Sequence, residues 1–136
     1  MNNPMMPSAY KILDVKHETE IEYTFKVEYN GVPVKNGQFF EISIPKVGEA
    51  PISVSDYEDG YLEFTIRKVG KLTNSVFNLS KGDCLFLRGP YGNSLPIEKF
   101  KNKNLVIIAG GTGVSPVRSL IKYFYRNNDL IKSLHY

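Results

Sequence analysis

From residue 21 to residue 29 the chain reads Ile-Glu-Tyr-Thr-Phe-Lys-Val-Glu-Tyr, apolar and polar in strict alternation. A period of two places Ile21, Tyr23, Phe25, Val27 and Tyr29 on one face of a strand, whereas a helix would scatter them around its circumference. The chain must therefore build an apolar interior behind a half-buried sheet. Asn30-Gly31 follows, and both residues accept positive φ, so a tight hairpin turn is expected there. Further strands are expected over residues 10–16, 39–44, 52–55, 61–69 and 84–88, with turns at 56–60 and 81–83. Six short strands with regular turns predict a mainly β, antiparallel barrel or sandwich over about the first hundred residues. A short helix is expected near residues 74–79. Thr73 is its expected N-cap, because a threonine hydroxyl accepts an orphan backbone N–H.

After Lys101-Asn102-Lys103 the pattern changes. A strand is expected over residues 104–109, whose unbroken apolar run from Leu105 to Ala109 is the kind buried on both faces of a parallel sheet. Gly110-Gly111-Thr112-Gly113-Val114-Ser115-Pro116 comes next, and proline suits the first turn of a helix. Val117, Leu120, Ile121 and Phe124 then recur at i, i+3, i+4 and i+7, the stripe of an amphipathic helix. Residues 130–136 read as the next strand. A strand–loop–helix–strand unit buries its faces only within a larger sheet. The chain is therefore expected to be a fragment: residues 1–100 a β domain, residues 101–136 the opening of an incomplete α/β domain.

Composition removes several function classes. The single cysteine, Cys84, cannot make an internal disulfide, an iron–sulfur cluster or a structural zinc site. It occupies an inward-looking strand position and is expected to be a buried thiol. A net charge of +3 over 136 residues is too small an excess to argue for nucleic acid. The longest apolar run, residues 105–109, falls far short of the roughly 18–20 residues of a membrane-spanning helix. The opening Met1-Asn2-Asn3-Pro4-Met5-Met6-Pro7 lacks the basic-then-apolar pattern of a signal peptide, so a cytoplasmic location is expected. His17 and His135 have no metal-ligand spacing around them and are expected to be solvated. No carboxylate pair stands out as acid and base, so no catalytic side chain and no metal site are expected.

Three stretches carry candidate ligand chemistry, each with a plainer reading beside it. The loop Gly110-Gly111-Thr112-Gly113, between a buried strand and a helix, suits phosphate, because glycines admit close backbone approach. The same loop also serves as an ordinary tight β–α turn, and it matches neither the full dinucleotide fingerprint nor a P-loop. Arg67-Lys68-Val69-Gly70-Lys71-Leu72-Thr73 gathers cations, a glycine and a hydroxyl at one helix start. It is either a second phosphate site or a solvated charged turn. Pro51-Ile52-Ser53-Val54-Ser55 is either a ligand-facing strand whose hydroxyls meet ring heteroatoms, or an edge strand with solvent-facing serines.

The order of these pieces resembles the flavin-binding part of ferredoxin–NAD(P)H reductase-like flavoproteins. The resemblance rests on Gly37-Gln38-Phe39, Pro51-Ile52-Ser53, residues 67–73, Lys81-Gly82-Asp83, Gly89-Pro90-Tyr91-Gly92-Asn93 and residues 110–116, in that order. Within the family the chain looks most like a subunit of anaerobic sulfite reductase and the gamma subunits of sulfhydrogenases. The electron-transfer subunit of dihydroorotate dehydrogenase is similar too. The resemblance implies a six-stranded antiparallel Greek-key barrel that binds FAD, followed by the first β-α-β portion of an NAD(P)-binding domain. It implies that Pro51, Ile52, Ser53 and Val54 line the isoalloxazine, with Ser53 near the reactive edge. Ile66, Arg67, Gly70, Leu72 and Thr73 would contact the rest of FAD, with Gly70, Leu72 and Thr73 cradling the pyrophosphate through backbone N–H groups and the Thr73 hydroxyl. Gly110, Gly111, Thr112, Gly113, Val114 and Pro116 would lie under the nicotinamide dinucleotide.

The family's Arg-x-Tyr-Ser reads Ala50-Pro51-Ile52-Ser53 here. The positive charge and the stacking ring of that motif are both missing, and Arg67 or Lys71 is expected to supply the charge. The implied function is an NAD(P)H-dependent flavin oxidoreductase component. Electrons would pass from NAD(P)H through flavin to an iron–sulfur centre and a partner redox subunit, such as one that reduces sulfite. A [2Fe–2S] cluster is expected only in a full-length form, and little activity is expected from these 136 residues alone. The alternatives are a flavin-binding or structural docking module, or an inactive fragment.

Overall fold

A computed structural model describes residues 3–136; Met1 and Asn2, which begin the amino-terminal stretch read above, lie outside the described residues. The strands of the β domain are β1 (Ser8–His17), β2 (Glu22–Glu28), β3 (Phe39–Ile44), β4 (Gly48–Ser53), β5 (Asp56–Glu58) and β6 (Tyr61–Arg67). Helix α1 (Lys71–Val76) and strand β7 (Cys84–Tyr91) complete it. They form one antiparallel sheet of seven strands in the order β4-β3-β7-β1-β2-β6-β5. The mainly β antiparallel architecture is the expected one. The ladder differs in carrying seven strands, not six, and in being open rather than closed. Where β4 gives way to β5 the chain passes from one end of the ladder to the other, and Ser55 N–H donates to the Glu63 carbonyl of β6 at 2.9 Å.

Alternation decides what goes inside. Leu62, Phe64 and Ile66 of β6 are buried and their neighbours are not. Phe25 and Val27 are buried on β2, where Thr24 is buried beside them and Phe25 lies directly opposite Phe64. Phe40 packs edge-on to both Phe64 and Tyr29, with ring centroids 5.8 and 5.7 Å apart. Ile12, Ile42, Leu85, Leu87 and Val76 close the same cluster. Ile21, expected on this face, is 44% exposed because β2 begins only at Glu22.

Several local expectations are corrected by pairing. Asn30-Gly31 makes no hairpin, because β2 pairs with β1 and β6 and never with β3. Residues 56–60 are not all turn: Asp56–Glu58 pairs with β6, so the turn is only Asp59-Gly60, with Gly60 at φ +92°. The short helix starts at Lys71, earlier than expected. Cys84 is exposed, since Leu85 and Leu87 take the inward positions of β7 and parity turns residue 84 outward.

The remainder of the chain consists of α2 (Ile97–Phe100), β8 (Asn104–Val106), a 3₁₀ turn over Gly111–Val114, α3 (Ser115–Arg126), a 3₁₀ turn over Asn128–Leu130 and β9 (Ser133–His135). β8 and β9 pair in parallel around α3. Leu120, Phe124 and Ile131 are buried there, against Leu95, Ile97, Phe100, Leu105 and Leu134. The strand expected at 104–109 is shorter and is not buried on both faces: Val106 is 62% and Ile108 93% exposed. A two-stranded ladder with one helix on it covers one face only. The strand expected at 130–136 is likewise confined to Ser133–His135.

Charge, not apolar surface, joins α3 to the β sheet. Arg118, Lys122 and Arg126, four residues apart, share one face of α3. Arg118 meets Glu63 at 2.9 Å, Lys122 meets Asp56 at 2.9 Å and Glu58 at 2.6 Å, and Arg126 meets Glu58 at 2.6 Å. A cleft of about 190 Å³ runs beside this clasp, lined by Asn36, Tyr57, Ser119 and Tyr123 among others. Asn36 Oδ1 and Ser119 Oγ are buried without a protein partner, so the joint is polar and hydratable.

Two outcomes are expected. Phe64→Ala removes a fully buried ring and should cost about 3–5 kcal/mol in urea unfolding. Hydrogen bonds from Lys122 and Arg126 hold the Glu58 carboxyl below the usual glutamate range. A carboxyl lowered by folding stabilises above its unfolded pKa and loses that contribution as pH falls through its folded one. The unfolding midpoint should therefore fall on acidification below about pH 4, and Glu58→Gln should flatten that fall.

Candidate functional site

β6 ends at Arg67, and the next amide, Lys68, donates to the Ile21 carbonyl at 2.8 Å. That bond turns the chain out of the sheet into Val69, Gly70 and α1. Thr73 is the third residue of α1 and is not its N-cap; Gly70 holds that position. The buried Thr73 hydroxyl reaches back into the turn. Its oxygen accepts from Val69 N–H at 2.8 Å and Gly70 N–H at 2.9 Å, and its proton goes to the Gly70 carbonyl at 3.1 Å. One proton and two lone pairs are then all used. Thr73 fixes the shape of the turn and leaves its backbone N–H, not its hydroxyl, for a ligand.

Gly70 lies at φ −179°, ψ −169°, an extended conformation open to any residue. No atom of the chain would come within 4 Å of a Cβ placed there. The fold therefore does not require glycine at this position, but a ligand lying against the backbone would. Arg67, Lys68 and Lys71 surround it, all exposed, and among the described residues none has a carboxylate within salt-bridge distance.

α1 packs beside β3 and β4, which brings this turn to the strand carrying Pro51, Ile52 and Ser53. Pro51 is exposed, and Ile52 and Ser53 are half-buried. Ile52 and Leu72 both rest on the β core. The arrangement is an apolar shelf beside a cationic, glycine-bearing turn. Val54 and Ile66 differ from the rest of the expected set: they are 2% and 1% exposed, and their side chains belong to the interior.

The second expected loop is built differently. Gly110–Gly113 winds into a 3₁₀ turn, with Gly113 N–H donating to the Gly110 carbonyl at 3.0 Å, and α3 follows with Pro116 in its first turn. Gly110, Gly111 and Gly113 all have open space where a Cβ would stand, and only Gly111, at φ +56°, needs glycine for its backbone. Val114 is 43% exposed, and Thr112 and Pro116 are half-buried.

Sequence reasoning missed two arrangements. One is the clasp on α3, whose four-residue cation spacing was visible but whose acids come from another element. The other is a fork between Arg88 of β7 and Glu49 of β4, where Nη2 donates to Oε1 at 2.7 Å and Nε to Oε2 at 3.3 Å. His17, though exposed, stacks on Tyr23 at 3.8 Å. Among the described residues no group of three or more His, Cys, Asp or Glu side chains is placed to hold a metal ion. No described helix is long and apolar enough to cross a membrane.

Comparison with known proteins extends over nearly the whole chain. No family model matches it. It is 37% identical over 134 residues to the sulfhydrogenase 1 subunit gamma of Pyrococcus furiosus, covering 93% of this chain and 46% of that one. It is 39% identical over 87 residues to a probable dihydroorotate dehydrogenase electron-transfer subunit from the same organism, covering 64% of this chain and 32% of that one. Among solved structures it matches a ferredoxin NADP+ reductase from Neisseria gonorrhoeae with bound FAD and NADP, at TM-score 0.81 and 25% identity. That match covers 95% of this chain and 55% of the other. Phthalate dioxygenase reductase shares the fold at TM-score 0.81 and 18% identity, over 98% of this chain and 44% of its own. The chain spans less than half the length of the sulfhydrogenase and dihydroorotate dehydrogenase subunits it matches.

The Thr73 turn makes its own prediction. Thr73→Val deletes an acceptor that serves two amides and should cost about 1–2 kcal/mol in urea unfolding. Gly70→Ala, entering open space at an extended backbone, should change stability by no more than about 0.5 kcal/mol.

Proposed function

We propose that this chain, which is similar in sequence to sulfhydrogenase gamma subunits and in fold to ferredoxin NADP+ reductase, is the flavin-binding part of an electron-transfer subunit. It would take reducing equivalents from NAD(P)H and hand them to a partner redox subunit. The observation that carries the reading is Gly70: a glycine its own backbone does not need, facing open space, ringed by unpaired cations beside an apolar shelf. A flavin dinucleotide has a pyrophosphate for that turn and a flat ring for that shelf.

The chain's residues divide the work. The backbone amides of Leu72 and Thr73 would take pyrophosphate oxygens, with Thr73 holding the turn in shape. Arg67 and Lys71 would neutralise the phosphates in place of the family arginine that Ala50 replaces. Pro51 and Ile52 would give the ring an apolar seat from which water is excluded, and Ser53 would place a hydroxyl at its edge. Ile52, packed on the core, offers contact without stacking. Gly110, Gly111, Thr112 and Gly113, with Val114 and Pro116, would receive the nicotinamide dinucleotide where α3 begins. When bound, FAD supplies the exchange between two-electron and one-electron transfer, and the protein supplies position and charge.

The modular reading places the flavin domain in residues 1–100 and the start of a nucleotide domain in residues 101–136. An iron–sulfur centre and the acceptor, sulfite or another, would belong to longer forms and partner subunits like those of the relatives.

Titration of the purified chain with FAD, followed by quenching of flavin fluorescence, tests the reading. Saturable binding is expected. Gly70→Val should weaken it at least about tenfold while the fold is retained, since a side chain there fills the cradle. Arg67→Ala combined with Lys71→Ala should also weaken binding, more at low salt than at high salt. No binding by the unaltered chain, or unchanged affinity in Gly70→Val, would overturn the assignment. NADH-dependent dye reduction by the flavin-loaded chain separates a reductase from a flavin-holding docking module.

A further inference from the structure

The strand that carries the flavin shelf is one of the two edge strands of the sheet. β4 stands at one end of the ladder and is hydrogen-bonded only to β3. Edge strands of this kind open more readily than central ones. A shelf that must hold a ring in one orientation needs a second attachment for that strand, and the structure contains one.

We propose that Glu49 and Arg88 form a brace that fixes β4 in place, making both of them positioning residues for the flavin site; this rests on the reading of residues 51–53 as the flavin shelf. Arg88 lies on β7, two strands away. Glu41 of β3 stands between, opposite Pro51 on one side and Arg88 on the other. The fork from Arg88 to both carboxylate oxygens of Glu49 therefore passes over β3, a span of roughly 9–10 Å between backbones. The Arg88 side chain is only 16% exposed, lying flat along the outer face of the sheet.

The brace continues to the far end of the shelf. Arg88 Nη1 donates to the Tyr91 hydroxyl at 3.1 Å, and the guanidinium carbon lies 5.5 Å from the centre of that ring. Tyr91 and Phe39 have ring centroids 5.8 Å apart. Phe39 stands opposite Tyr91 on one side and Ser53 on the other. Contacts thus run from Glu49 through Arg88, Tyr91 and Phe39 to Ser53, tying both ends of the shelf strand to β7. A bidentate fork fixes direction as well as distance, which a single ammonium does not. The Glu49 carboxyl is held below the usual glutamate range by its hydrogen bond from Arg88, so the fork is closed at neutral pH.

The test uses the full chain without flavin and then with it. By hydrogen exchange, the β4 amides bonded to β3 should exchange about tenfold faster in Arg88→Ala and in Glu49→Gln, with β2 and β6 unchanged as the control for folding. The FAD dissociation constant should rise about tenfold in the same variants. Arg88→Lys should fail to rescue either readout, and the double variant should be no worse than either single one. Unchanged β4 exchange in Arg88→Ala, or full rescue by lysine, overturns the brace whatever happens to flavin. Faster exchange with unchanged FAD affinity overturns the positioning role. An unaltered chain that binds no FAD overturns the flavin reading and the positioning role together, while exchange still decides whether the brace exists.

Discussion

Phe25, Phe40 and Phe64 must all leave water, and a flat sheet cannot hide them from one another's opposite sides. Phe25 and Phe64 face each other across β2 and β6. Phe40 comes from β3, on the other arm of the ladder, and meets Phe64 edge-on. The sheet has to coil until its two arms close over these rings. Everything else in the β domain follows from that coil. Its ends, β4 and the β5–β6 hairpin, are brought side by side without a continuous ladder between them, and α1 packs beside the end that β4 forms. The candidate flavin site lies at this incomplete seam, where backbone and side chains have not all been consumed by the sheet.

A different kind of force attaches α3. The β core is apolar and closed, while the contact between α3 and the β5–β6 hairpin is a row of three cations against three acids beside a polar cleft. Its outer pairs, Arg118 with Glu63 and Arg126 with Glu58, reach solvent and are screened by salt, while Asp56 is the buried member of the row. The β domain and α3 therefore differ in what loosens them: cavities in the core for one, salt and acid for the other. The turn that bears Gly70 follows directly on β6 of the sheet. The loop at 110–113 opens the helix that the clasp holds.

Much of this was legible along the chain because it depends on local parity and local turns. The alternation at 21–29 located β2 and its buried face, and the i, i+3, i+4, i+7 stripe located α3. What failed did so for a shared reason. Asn30-Gly31 has the chemistry of a hairpin, but β2 finds its partners elsewhere. Cys84 looked inward only until Leu85 and Leu87 set the parity of β7. Residues 104–109 looked buried on both faces, yet one helix and one partner strand cover a single face. For the candidate site, the cluster of Arg67, Gly70, Lys71 and Thr73 was visible as residue types. That Thr73 spends its hydroxyl inside the turn, and that Val54 and Ile66 face the core, was not.

By itself the sequence determined the antiparallel β class, the change to a β–α unit near residue 101, and which turns carry glycines beside cations. These depend on periodicity and on residue chemistry within a few positions of one another. Only the tertiary structure decided that the sheet stays open, that β4 is an edge strand, and that Arg88 reaches Glu49 over the strand between them. Those outcomes turn on register between segments some 40 residues apart. Register is set by how the whole apolar set fits into one interior, and no local stretch of the chain contains it.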